Sequence, residues 1–118
     1  MITPPNISAI YLANFHVDMR KSINGLSLLI VQEFDCNPAD GSIYVFCNRA
    51  RNKIKILYFD RNGFALWYKR LEKGRFQFFS NNKPGKMRVN EEQLRWLLDG
   101  LDFISLRGYP RLSFDTFC

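Results

Sequence analysis

Within the stretch KIKILYFDRNGFALWYKRLEKGRFQFF, from Lys53 to Phe79, cations interleave with aromatic rings: Lys53, Lys55, Trp67, Tyr68, Lys69, Arg70 and Arg75. Ammonium and guanidinium groups neutralise phosphates, and rings stack on bases or anchor a protein interface. The chemistry these types can do is therefore binding, with Lys53, Lys55, Lys69 and Arg75 as phosphate contacts and Arg49, Arg51, Arg20 and Lys21 as further cations. Trp67 is the ring assigned to a partner contact. The competing account is plain: a charge run is more often a solvated face than a site, and a Trp packs as readily under a neighbouring segment as against a partner.

Other chemistries have weaker claims. His16 is the single histidine, beside Asp18 and with no Cys or carboxylate at ligand spacing, a poor start for a metal site or a catalytic triad. Asp40, Asp60, Asp99 and Asp102 raise a two-metal nuclease reading. Asp60 falls in a turn, however, and Asp99 and Asp102 flank a helix end, so each has a structural job. No GxGxxG or GxxxxGK[ST] run occurs, which argues against a phosphate-loop nucleotide site. The expectation is no catalytic residue, no metal and no cofactor.

The elements that must position the cations are strands. The 53–79 stretch divides into three runs rich in Ile, Phe, Tyr and Trp, separated by Asp60-Arg61-Asn62-Gly63 and Glu72-Lys73-Gly74. That predicts an antiparallel three-strand meander. If each turn is a three-residue loop closing on a left-handed Gly, Tyr58 pairs with Leu66, Ile56 with Tyr68, and Ile54 with Arg70, and this set faces the core. Leu57, Phe59, Trp67, Lys53, Lys55, Lys69 and Arg75 then share the other face. Lys55 opposite Lys69 is a like-charge pair that calls for an anion.

Around the meander, Pro4 and Pro5 keep residues 1–9 irregular. Ile10 to Ala13 reads as a short strand, and Asp18 as the N-cap of a helix to Phe34 with a stripe at Ile23, Leu26, Ile30 and Phe34. Arg20 and Lys21 then lie in its first turn, against the helix dipole. Ser42 to Cys47 is a strand, Ser80 to Lys86 a polar loop, and Met87 to Val89 a short strand. Asn90 caps a second helix, with Gln93 completing a capping box. The prediction is an α+β domain over 1–118: a mainly antiparallel sheet of four to six strands, with an N-terminal and a C-terminal helix on one face. Residues 104–118 carry no clear pattern.

Charge sharpens the binding reading. The chain has a net charge of +6, and between Arg49 and Arg88 twelve Lys or Arg stand against two acids. A basic middle between acidic ends is a positive patch rather than general solubility charge. Three cysteines with no CxxC pairing and no secretory leader point to reduced thiols in the cytoplasm. No apolar run is long enough to span a bilayer.

The segment Val17-Asp18-Met19-Arg20-Lys21-Ser22-Ile23-Asn24-Gly25-Leu26, then Ile43-Tyr44-Val45-Phe46, then KIKILYFDRNGFALWYKRLEKGRF, resembles the TnpB-type accessory protein of the IS-sixty-six family of bacterial insertion sequences. It is not similar to the RNA-guided nucleases that share the TnpB name. The resemblance covers residues 8 to 103 and includes the second helix; Cys47, Asn52 and the tail depart from it. It implies a non-catalytic role beside a larger transposase that carries the catalytic acids. Three functions follow in order: a DNA-binding accessory protein, a module docking on the transposase of the same element without DNA affinity, and, least, a small enzyme.

Overall fold

The computed structural model describes residues 7–77 and 85–99. In chain order they form β1 (Ile10–His16), α1 (Ile23–Phe34), β2 (Ile43–Cys47), β3 (Lys53–Asp60), β4 (Gly63–Arg70), β5 (Lys86–Val89) and α2 (Glu91–Leu98). The strands make one five-stranded sheet in the order β4-β3-β2-β1-β5. Every pairing is antiparallel except β1 with β2, which run parallel. A parallel pair needs a crossover rather than a hairpin, and α1 supplies it. The α+β class and the mainly antiparallel sheet are as expected from the sequence.

The two helices lie on opposite faces of the sheet, not on one. Leu26, Ile30 and Phe34 of α1 pack with Tyr44, Phe46 and Leu57. Leu94 and Leu97 of α2 pack with Ile43, Val45, Ile54 and Ile56. The reason is visible in β2, where side chains pointing both ways are apolar and all five residues are buried. A strand with no polar face must be covered twice.

The β3–β4 hairpin corrects the expected register. Asp60 pairs with Gly63 and Ile56 with Trp67, so the turn holds two residues, Arg61 and Asn62, rather than three. Arg61, not Gly63, takes the left-handed conformation, with φ 56°. A shift of one residue sends each β4 side chain to the other face. Ala65 and Trp67 now pack against the α2-side cluster, while Phe64 and Leu66 pack on the α1 side. The observed register also keeps Arg70 off the face of Ile54, where the expected pairing would have turned a guanidinium toward the core.

The third run does not form a strand over Arg75–Gln77. After Gly74 (φ 83°) the chain turns, and the Phe76 N–H donates to the Arg51 carbonyl at 2.6 Å. Phe76 is then fully buried on the α2 side. Phe78, Phe79, most of the Ser80–Lys86 loop and everything from Gly100 onward lie outside the described residues.

Both helix starts differ in quality. Asn90 caps α2 with the full reciprocal box: its side chain accepts from the Gln93 N–H at 2.7 Å, and Gln93 accepts from the Asn90 N–H at 2.9 Å. Glu91 and Glu92 follow in the first turn. At α1 the N-cap is Ser22, not Asp18, and it makes no side-chain capping bond; no acid lies in the first turn. Arg20 and Lys21 therefore precede the helix instead of occupying it.

Candidate nucleic-acid interface

The parallel pair ends at His16 and Cys47, and the chain leaves these ends in two loops. One runs from Val17 to Ser22 into α1; the other, Asn48 to Asn52, turns back into β3. The register of β1 on β2 slips between Leu12 and His16, an irregularity of the kind that re-aims a strand end. Val17 is nevertheless tied down, its N–H donating to the Cys47 carbonyl at 2.9 Å. Asn48 staples the second loop: its side-chain oxygen accepts from the N–H groups of Asn52 and Lys53 at 3.1 and 3.0 Å.

Between the loops lies an open recess of about 680 Å³, lined by residues 16–20 and 48–50 with Lys53 and Tyr68. Three of its side chains are cations, Arg20, Arg49 and Lys53, against the single carboxylate of Asp18. That carboxylate is already engaged. The Arg20 guanidinium approaches it at 2.6 Å and the Arg20 N–H at 2.9 Å, which holds the Asp18 pKa down at about 2. The pair is local and exposed, so it orders the loop more than it stabilises the fold.

Around the recess stand the other cations. Lys55 donates to the Lys21 carbonyl at 2.8 Å, beside the start of α1, and its ammonium lies 5.8 Å from the centre of the Tyr68 ring. Arg51 and Arg75 are exposed and lie on adjoining backbone through the Phe76–Arg51 hydrogen bond. The structure thus brings Arg20, Arg49 and Lys53 into one recess, with Lys21 and Lys55 at its edge and Arg51 and Arg75 nearby. Lys69 does not join them. It lies on the α2 face, opposite Ile54, and donates to the Leu98 carbonyl at 2.7 Å. The expected Lys55–Lys69 pair is absent, because Lys55 faces Tyr68.

The two rings exchange places as well. Trp67, expected on the cationic face, is partly buried against the α2-side core. Tyr68, expected in the core, is 48% exposed and lines the recess. Sequence reasoning missed Tyr68 for one reason, the length of the Arg61–Asn62 turn. His16, Met19 and Asn48 also line the recess; His16 carried a signal only as the lone histidine.

Asp40, Asp60 and Asp99 are dispersed over the fold. Asp40 accepts from the Tyr44 hydroxyl at 2.9 Å and the Ser42 N–H at 2.8 Å, Asp60 closes the hairpin, and Asp99 is the C-cap of α2. Asp102 lies outside the described residues. Among the described residues no cluster of His, Cys, Asp or Glu is arranged to hold a metal ion.

Helix ends give the recess its electrostatic context. A cation suits a helix C-terminus and an anion an N-terminus. Lys69 meets the α2 C-terminus; Lys86 donates to the Phe34 carbonyl at the α1 C-terminus, 3.2 Å away. Glu91 and Glu92 suit the α2 N-terminus. Of the two helix N-termini among the described residues, that of α1 gathers cations, Arg20, Lys21 and Lys55, with Asp18 as the anion beside them.

Comparison with known proteins agrees with the extent of the resemblance. The family described as IS66 Orf2 like protein matches residues 8–108. The uncharacterized protein y4hO of Sinorhizobium fredii is 33% identical over 94 residues, 80% of this chain and 81% of the relative. The uncharacterized protein y4jC of the same organism is 32% identical over 110 residues, 93% of each chain. No solved structure matches.

Proposed function

The chain belongs to the IS66 Orf2-like family of insertion-sequence accessory proteins, and on that premise we propose that it binds nucleic-acid phosphates through the cationic recess and assists transposition without catalysing it. The observation that carries this reading is the convergence of Arg20, Arg49 and Lys53 on one recess whose single acid, Asp18, is paired with Arg20, which leaves the charges of Arg49 and Lys53 in excess there. An excess of positive charge beside a helix N-terminus attracts further anions beyond Asp18, and phosphodiesters supply them repeatedly along a strand. The setting is cytoplasmic in this reading; among the described residues no helix is long and apolar enough to cross a membrane.

The test is a salt titration of DNA binding. Each phosphate neutralised contributes about 0.7–0.9 to the slope of log affinity against log salt. The Arg49→Ala/Lys53→Ala double variant should therefore lose between one and two slope units while keeping its fold. Binding that does not change with salt, or a variant with the wild-type slope, would sink the assignment.

A second reading, docking on the transposase of the same element without DNA affinity, has its own observation. Leu28 and Val31, 54% and 51% exposed, sit three residues apart on α1. Transposase retained in the absence of DNA, and released by Leu28→Ser/Val31→Ser, is the outcome that would favour it.

A further inference from the structure

We propose that the recess takes an unpaired nucleotide segment, with backbone phosphates on Arg20, Arg49 and Lys53 and one base stacked on the Tyr68 ring. This rests on the nucleic-acid reading above and adds the form of nucleic acid that fits. Tyr68 is the only ring among the large hydrophobic side chains left exposed in the described residues, and it lies in the same recess as the three cations. Its cross-strand neighbour Lys55 adds a fourth positive charge 5.8 Å from the ring centre. A cationic track with a ring beside it is the arrangement that binds single strands, because every base has a face to stack.

Duplex DNA uses only half of this arrangement. Its bases are stacked on one another inside the helix, so it would meet the cations and leave the ring in water. The recess, about 680 Å³ and open to solvent, leaves room for a nucleotide segment to lie across it. The recess is also bounded by two loops, the β1–α1 loop and the β2–β3 link, rather than laid along a flat face.

Fluorescence anisotropy at one ionic strength separates the elements of the proposal. The ligands are a short oligothymidylate, an abasic strand of the same length, a duplex of the same length, and an oligouridylate that distinguishes RNA from DNA as the source of the strand. The abasic strand keeps the phosphates and removes the base faces. The expected result is an oligothymidylate or oligouridylate bound about tenfold tighter than the abasic strand. Tyr68→Ala should erase that difference without weakening abasic binding, and Tyr68→Phe should preserve it. The exposure of Tyr68 makes both variants compatible with the fold, which circular dichroism would check. Duplex bound as tightly as the single strands, or Tyr68→Ala without effect on them, overturns the inference and leaves the phosphate reading standing. Absence of binding to all four ligands at low salt removes the nucleic-acid reading itself.

Discussion

The two faces of the sheet treat the same residue type in opposite ways. On the α2 face Lys69 is spent: it reaches the Leu98 carbonyl at the end of α2, and the helix begins with a complete capping box and two acids. On the α1 face Lys55 reaches the backbone before a helix whose cap bonds nothing through its side chain, and Arg20, Arg49 and Lys53 collect nearby. The first face satisfies its own charges. The second keeps a surplus that a phosphate would relieve. Lys55 and Lys69, close across one hairpin, thus reach opposite surroundings according to which way the pleat turns them.

The contrast can be broken by experiment, most forcefully in the α2-side core. Phe76→Ala should cost about 3–5 kcal/mol, since a fully buried ring is lost; urea unfolding measures it. Oligonucleotide affinity of the molecules that remain folded should stay at the wild-type value. If binding fell in step with stability, the two faces would not be separate in function.

Next come the helix starts. Asn90→Ala should lower unfolding free energy by about 1 kcal/mol, the usual worth of a cap, and Ser22→Ala by a few tenths at most because its side chain makes no capping bond. Equal losses would mean that α1 is capped as α2 is. The lysines sharpen the same point. Lys69→Ala should cost roughly 1 kcal/mol for a part-buried charged hydrogen bond and leave DNA affinity alone, whereas Lys55→Ala should weaken binding with little change in the denaturation midpoint.

The smallest effect is a pH slope. Burial pushes the Cys47 thiol from 9.0 up to about 12, so the folded state holds its proton more tightly than the unfolded state does. The associated stability is complete below the unfolded value and is lost as pH rises toward about 12. Buried Tyr44 and Tyr58 act in the same direction. Cys47→Ala should flatten part of the alkaline decline in urea midpoint; an unchanged decline would assign all of it to the tyrosines.

Much of this architecture could be read from the residues alone, where the signal was local. Asn90 and Gln93 announce the α2 start, Leu26, Ile30 and Phe34 give the buried stripe of α1, and Met87 to Val89 lies within β5. The non-local features were harder. Asp60-Arg61-Asn62-Gly63 accommodates a two-residue or a three-residue loop, and with apolar residues on both sides of Phe64–Trp67 the pattern does not choose between them. The choice decides whether Trp67 or Tyr68 joins the cations. Opposite-face helices did have a signal, the unbroken apolar run Ile43 to Cys47, which marks a strand covered twice. The parallel pairing of β1 with β2 had none of comparable strength, because register between distant segments leaves no local trace.

That pairing has a consequence for how the chain is made. β1 lies between β2 and β5, with Ile10 beside Ile43 on one side and Val89 on the other. As the chain emerges from the ribosome, β2, β3 and β4 can pair with near neighbours in sequence, but one side of β1 stays open until residues near Val89 have been synthesised. Closing so long a loop is slow, and an open strand edge is a place where chains associate wrongly. The docking of β5 on β1 therefore has to wait for the late part of the chain, and it covers the second edge of the strand from whose end the Asp18–Arg20 loop departs.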